Sequence, residues 1–599
     1  MNRKTSIVHV THEAIGKIGG IGAVIDGILT SKAYIENTGR TILVSTLFST
    51  EGPVHNRLGE GSEVLYSSAD GLAKTGYAAG FKNIERLFNV DILYGRRLFE
   101  DIRTGVKNMP EVILIDVRQI NAAPINKFKG QLFNRFGIMS HHYEHLWEYE
   151  EWIRLAPPAM AALKAIGAAP QDGVAIIVAH EFMGIPTALA AEMDDQYDFK
   201  TVFYAHEVAS VRKIVEERSG NDTMFYNVMR AAQAQGISLP EVFGDQSGYF
   251  KHVLIEASRH CDSILAVGDY VADELRFLAP EFKTADIELA YNGIPAYHIS
   301  LEEKKHSKAK LVQYCENLLG FRPDYIFTHV TRLVRSKGLW RDLRVLEHIE
   351  KELRPLHKTA VMFLLSTEVG PRRPKDILRM EAEYQWPVAH REGLPDLSGG
   401  EAAFYTAVQE FNTRSRNIKM VFVNQFGFDR QRCGRRMPED MEFMDIRKGS
   451  DVEFGQSIYE PFGIAQIEPL SFGGICVVSS ACGCTGFIRR ISGFEEKRNV
   501  IIADYTDLNG MVFNDLEDML KIDINIRNRI ERYVSEKIAM EIFARLPKND
   551  DETVEMINSG YDLAEHMSWD AVVENYILKS FASVVEKQKV KTVAEPKGG

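Results

Sequence analysis

Apolar residues along this chain come in short, nearly unbroken runs rich in Val and Ile, separated by longer stretches where they recur every third or fourth position. The first runs fall at residues 7–10, 42–45, 112–117, 174–178, 201–204 and 263–267. A strand buried on both faces is apolar throughout, whereas a covering helix shows an apolar stripe, so the alternation predicts a parallel sheet clad on both sides. The pattern restarts after Asn292-Gly293-Ile294-Pro295 and the polar stretch 301–310, with runs at 326–330, 361–365, 419–423, 474–479 and 500–504. Two such series predict an α/β fold of two doubly wound domains facing across a cleft. Ligands are expected beyond the carboxyl ends of the strands.

The expected boundaries are 1–300 for the first domain and 301–565 for the second. Largely helical, polar insertions are expected at 212–260 and at about 371–440. Trp569, Val572, Tyr576 and Val584 then lie at helical spacing, which predicts a helix over 566–586 docking on the body, followed by a disordered tail, 587–599.

The 599-residue length exceeds what one core supports, in keeping with two domains. Hydrophobic content of 45% and charged content of 26% are those of an ordinary globular protein. A formal net charge of −12 argues against general binding to nucleic acid or anionic membranes. The opening residues carry no apolar signal region and no run of about 18 apolar residues occurs, so a cytoplasmic protein is expected. The six cysteines, Cys476, Cys482 and Cys484 among them, lack the paired spacing of a zinc site and read as reduced, buried thiols.

Candidate chemistry concentrates at strand ends. Glu460 and Glu468 bracket Pro461-Phe462-Gly463, and residues 464–470 read as the opening of a helix whose free N–H groups face bound phosphate. Each carboxylate can accept two hydroxyl hydrogen bonds, which suits a hexose and a ribose diol. Gly16-Lys17-Ile18-Gly19-Gly20-Ile21-Gly22 follows the first strand; it either cradles a diphosphate or forms a tight turn for helix packing. Arg332 and Lys337 flank a turn after a strand of the second domain, where two cations can neutralise a departing diphosphate without reorganisation. His206 and His180-Glu181 end strands of the first domain; such histidines are structural groups or contacts to a donor sugar. Arg430, Arg432, Arg435 and Arg436 form either a solvated face or an anion site.

Together these pieces resemble the glycogen and starch synthases, retaining glycosyltransferases with two Rossmann-like domains in the GT-B architecture. The resemblance spans most of the chain, apart from parts of the insertions and the extreme C-terminus. Lys17-Ile18-Gly19-Gly20 is similar to that family's Lys-x-Gly-Gly donor loop, and Arg332 and Lys337 to its arginine and lysine at the donor diphosphate. Glu460 and Glu468 match its paired glutamates, with Tyr459, Phe462, Gly463 and Ile464 on the donor-holding turn between them. His206 falls where the family has a histidine near the donor hexose. Gly22-Ala23-Val24 and residues 459–463 look closer to the bacterial and plant enzymes, which use ADP-glucose. His180-Glu181-Phe182-Met183 and Phe225-Tyr226-Asn227 look closer to the animal and fungal enzymes, which use UDP-glucose. Ala23, Phe182 and residues 481–486 depart from both.

The resemblance implies transfer of glucose from ADP-glucose or UDP-glucose to the non-reducing end of an α-1,4-glucan, with retention and with no cofactor or metal required. It places Glu468 at the ribose, Glu460 at the hexose, His206 near the reacting carbon, and Arg332, Lys337 and the Gly19-Gly20 loop at the diphosphate. Other readings stay open at this stage: a retaining transferase with a small or lipid acceptor, or a sugar-nucleotide sensor or scaffold without turnover. No nucleic-acid or membrane partner is expected, and the helical insertions are surfaces through which the chain could form a homo-oligomer.

Overall fold

A computed structural model describes residues 5–16, 19–169 and 173–587; Lys17 and residues 588–599 lie outside them. The first series of apolar runs becomes β1 (Ser6–Val10), β2 (Arg40–Thr46), β3 (Glu63–Ser67), β4 (Leu72–Ala73), β5 (Asp91–Arg96), β6 (Phe99–Asp101), β7 (Val106–Asn108), β8 (Glu111–Asp116), β9 (Ala175–His180), β10 (Phe199–Ala205), β11 (Ser263–Ala266) and β12 (Ile287–Leu289). The second becomes β13 (Tyr325–Val330), β14 (Ala360–Leu365), β15 (Ile418–Val423), β16 (Val452–Gly455), β17 (Ile475–Ser479) and β18 (Val500–Ala503). Among the described residues they form a ten-stranded sheet, β12-β11-β10-β9-β1-β2-β8-β5-β3-β4, a six-stranded sheet, β15-β14-β13-β16-β17-β18, and the β6–β7 hairpin. The second sheet is parallel throughout. These are two doubly wound, Rossmann-like α/β domains.

The first sheet is not wholly parallel. From β8 outward, β5, β3 and β4 pair antiparallel. β4 escapes the run pattern because it is two residues long, and β3 because it passes from exposed Glu63 to buried Tyr66 and Ser67 with no long apolar run. Strand β16 was hidden for another reason, because Glu453 interrupts its apolar residues. That carboxylate is fully buried, accepting from Thr328 Oγ1 at 2.5 Å and from the Val330 amide at 2.9 Å, with the buried Arg447 guanidinium 3.0 Å away.

The 212–260 excursion is helical, and some of its polar residues, Asn221, Asp222 and Thr223 among them, are buried rather than solvated. Asn221–Ala234 is a largely buried helix that ties the domains together. Asp222 pairs with Arg341 of the second domain at 2.6 Å, Thr223 Oγ1 donates to the Tyr505 carbonyl at 2.8 Å, and Asn227 Nδ2 to the Thr506 carbonyl at 2.9 Å. The buried face of this helix is spent within the chain. In the second insertion, Gly399–Arg414 is the crossover helix between β14 and β15, so the excursion is narrower than 371–440. The arginine cluster divides. Arg430 and Arg432 face Glu439 and Asp429, at 3.4 and 3.0 Å. Arg435 and Arg436 join Arg379 around an open cavity of about 480 Å³.

After residue 568 the backbone crosses back to the first domain. Helix Trp569–Val572, a π-helical turn Val573–Ile577 and helix Leu578–Glu586 run on continuously. A Cβ on Gly27 would lie 2.1 Å from the Trp569 ring, so the indole fills a slot that only a glycine leaves open. Asp570 accepts from Ser31 Oγ at 2.6 Å, and Lys587, placed by the sequence in a disordered tail, donates to the Asp262 carbonyl at 3.0 Å and pairs with Asp286 at 2.8 Å.

Candidate active site between the two sheets

The cleft is built from strand ends, as parallel sheets require. On the second-domain side, β13 leads into the 3₁₀ turn Arg335–Lys337, and β16 into the 456–463 loop. The Ile458 and Tyr459 amides donate to the Ser336 carbonyl, at 2.8 and 3.2 Å, locking loop against turn. Gly338, at φ 61°, permits this contact, since a Cβ there would lie 2.7 Å from the Gln456 carbonyl. The packing brings Lys337 and Glu460, 123 residues apart, into a direct, largely buried ion pair. Gln466 Nε2 donates to the same Glu460 oxygen at 3.2 Å. Arg332, on the same turn, is exposed and has no side-chain partner among the described residues.

Several expected donor contacts take other places. Tyr459 is buried, and its hydroxyl accepts from the Val208 amide at 2.9 Å and donates to Glu274 at 3.1 Å, so it bolts the two domains rather than facing a ligand. Phe462 is likewise buried, near Tyr291 and Phe487. Gly463 is left-handed at φ 92°, and its amide and that of Ile464 have no acceptor among the described residues. The helix expected over 464–470 is one α-turn, Ile464–Ile467, followed by a 3₁₀ turn, Glu468–Phe472, because Pro469 lacks the amide needed to continue it. Glu468 is held 3.0 Å from Arg447, and burial raises its pKa against that pairing.

On the first-domain side, Gly19 caps helix Gly20–Leu29. The amides of Gly19 and Gly22 donate to Glu13 Oε2, at 3.0 and 2.6 Å. A carboxylate of the chain itself therefore occupies the anion position at the glycine loop, with His12 Nε2 3.1 Å away. No local pattern of residues marks Glu13 for this place.

His206 follows β10 directly. Strands β10, β9 and β1 are neighbours in the sheet, so the histidines at their carboxyl ends form a row. His206 Nε2 is 2.9 Å from His180 Nδ1, His180 Nε2 is 2.9 Å from His9 Nδ1, and His9 Nε2 is 3.0 Å from the Tyr34 hydroxyl. Of the three, only His206 keeps some exposure; its Nδ1 makes no bond among the described residues. Burial lowers the pKa of His206 and of His9 to about 3, and that of His180 well below the usual value. Beneath them, Glu181 adopts φ 60°, and its Oε1 accepts the His206 and Glu207 amides, both at 2.6 Å. Burial, with the Glu207 charge, raises its pKa to about 8. The left-handed backbone marks Glu181 as a residue held in place by its surroundings.

The histidine row makes acid stability a direct readout. The rings stay neutral in the folded protein but protonate near 6.5 when unfolded, so the unfolded state binds more protons between about pH 3 and 6.5. Stability contributed by the row is complete above pH 6.5 and is lost as pH falls toward 3. Chemical denaturation at pH 7 and pH 5 is expected to show a clear drop, reduced in a His9→Gln variant; equal slopes in the two proteins would contradict the burial-driven shift.

Among the described residues, no group of three or more His, Cys, Asp or Glu is arranged to hold a metal ion, and no helix is long and apolar enough to cross a membrane. No protein-family model matches the chain, and no curated protein sequence matches it. Solved structures do align over nearly its whole length. The catalytic domain of starch synthase IV from Arabidopsis thaliana, bound to ADP and acarbose, is 13% identical over 97% of this chain and 99% of that one, with a TM-score of 0.49. An α,α-trehalose-phosphate synthase from Burkholderia xenovorans in complex with glucose-6-phosphate aligns at 11% identity over 97% and 100%, with a TM-score of 0.49. Sucrose-phosphate synthase from Thermosynechococcus elongatus aligns at 13% over 97% and 99%, with a TM-score of 0.46.

Proposed function

We propose that the protein is a retaining glycosyltransferase of the glycogen and starch synthase type, moving glucose from ADP-glucose or UDP-glucose to the non-reducing end of an α-1,4-glucan. What supports this reading is that Lys337, Glu460 and Arg332 follow strands of the second domain and His206 follows β10 of the first, with the Tyr459 hydroxyl and the Val208 amide joining the two strand ends. The motif resemblance supplies the substrate class.

In this mechanism the donor diphosphate takes the place of Glu460 as the partner of Lys337, and Arg332 joins it. Charge developing on the departing phosphate is then met by cations already in position. Glu460, released, accepts from hexose hydroxyls, while the free Glu468 oxygen accepts from the ribose. The same diphosphate displaces the Glu13 carboxylate from the Gly19 and Gly22 amides. With no covalent nucleophile invoked, the leaving phosphate oxygen removes the acceptor hydroxyl's proton on the face from which it departs, which preserves the anomeric configuration. Neutral His206 hydrogen-bonds the sugar near the reacting carbon without adding charge. The residues supply charge stabilisation and positioning themselves, so no metal is required.

The test is release of nucleoside diphosphate from ADP-glucose and UDP-glucose in turn, with and without maltooligosaccharides and without added metal. Acceptor-dependent release with chain lengthening is the expected result, and the better donor identifies the base. Release with a monosaccharide phosphate or lipid acceptor alone would move the reading to a different transferase. No release with either donor from folded protein would remove the activity.

A further inference from the structure

The mechanism uses only the outermost of three hydrogen-bonded histidines. His180 and His9 are buried, and neither reaches a ligand. A neutral imidazole has one N–H and one bare nitrogen, so each 2.9 Å ring-to-ring contact needs a donor on one side and an acceptor on the other. The three tautomers are consequently locked together. Only two arrangements satisfy both links: every proton on Nδ1, or every proton on Nε2. Any mixture sets two N–H groups or two lone pairs against each other inside the core, at the cost of an unmade buried hydrogen bond.

The end of the row selects between them. His9 Nε2 faces the Tyr34 hydroxyl at 3.0 Å, and that oxygen is 3.1 Å from Thr41 Oγ1. A phenol is a stronger donor than an imidazole N–H, and a bare imidazole nitrogen is a stronger acceptor than a threonine hydroxyl. The favoured polarity has Thr41 donating to Tyr34 and Tyr34 donating to His9 Nε2. His9 then carries its proton on Nδ1 and donates to His180 Nε2, and His180 Nδ1–H donates to His206 Nε2. Each bond polarises the next, so the preference accumulates along the chain.

We propose that Tyr34, His9 and His180 are positioning residues that fix the His206 ring with its proton on Nδ1, so that His206 meets a cleft ligand as a hydrogen-bond donor. The ligand is thereby specified at that point as an acceptor, a sugar hydroxyl or phosphate oxygen; this clause rests on the sugar-nucleotide reading above, whereas the tautomer itself does not. Burial supports the scheme, since it keeps all three rings neutral and the Tyr34 phenol protonated.

The experiment is two-bond ¹H–¹⁵N spectroscopy of protein labelled at histidine, which reports for each ring which nitrogen carries the proton. The three rings are identified by the resonances lost in His9→Asn, His180→Asn and His206→Asn. All three are expected to be neutral with the proton on Nδ1. Tyr34→Phe deletes the selecting donor and is expected to shift the His206 resonances, two rings away, together with those of His9 and His180. Thr41→Val leaves Tyr34 its hydrogen and its acceptor on His9, and is expected to preserve the wild-type pattern. Protons on Nε2 in the wild type, an unmoved His206 in Tyr34→Phe, or a reversed pattern in Thr41→Val would each overturn the proposal. In protein that transfers glucose, Tyr34→Phe is expected to lower kcat about tenfold with the donor KM within twofold. In protein that transfers nothing, the spectra still decide the relay, and the transferase reading alone falls.

Discussion

Lys337→Ala is expected to lower kcat for glucosyl transfer by roughly 10²- to 10³-fold, the usual effect of removing one preorganised group that stabilises transition-state charge. The ammonium belongs to a turn held by two amides on the Ser336 carbonyl, so it is in place before the donor arrives. Its one ion-pair partner among the described residues is Glu460, in the same domain, and both side chains retain some exposure, 14% and 13%. Breaking that pair costs much less than breaking a sealed one, and the melting temperature is expected to change by only a few degrees. Lys337→Arg is not expected to restore full activity, because a planar fork cannot take the place of a compact charge in this turn. Steady-state kinetics beside a thermal melt make the test. Normal turnover in Lys337→Ala would end the role given to this residue.

The largest stability effect is expected at Arg341. This guanidinium is fully buried, 2.6 Å from Asp222 and 2.9 Å from Glu531, and lies 3.8 Å from the centre of the Tyr505 ring. Asp222 comes from the first domain, so the pair spans the interface. In Arg341→Met both carboxylates stay buried, Asp222 without its cation, and such a loss costs about 3–5 kcal/mol. The cost falls on the contact between domains, so the melt is expected to separate into two transitions, the first well below the wild-type value. Adding Asp222→Leu is expected to recover part of the loss by removing the stranded charge. A single unshifted transition in Arg341→Met would show that the domains do not depend on this pair.

The strands that were legible in the sequence are those buried on both faces, where nothing interrupts Val and Ile. β16 was not legible because the neutralisation of Glu453 is achieved by Arg447 and by backbone of β13, which no local pattern reports. The site divides in the same way. Residue types at strand ends marked Arg332, Lys337, Glu460 and His206, but the Lys337–Glu460 pair, the Glu13 carboxylate at the glycine loop and the use of Tyr459 as an interdomain bolt depend on contacts across 123, 9 and 251 residues. Only the middle one is local, and it was missed because a lone glutamate before a glycine run carries no signal. The histidine row had one: β1 carries a histidine as its fourth residue, β9 ends on one, and β10 is followed by one. That the three strands are neighbours is a fact of topology.

The return of the chain to its beginning sets the order in which the molecule can be completed during synthesis. Residues 6–289 contain every strand of the first sheet, yet the slot over Gly27 and Gly293 stays empty until Trp569 is made. At ordinary translation speeds this interval lasts on the order of tens of seconds. Throughout it the domain emerging first has an indole-sized opening beside its first helix, while the second domain, whose strands all precede residue 504, can close around its own core. The first sheet, made before the second, is thus completed after it.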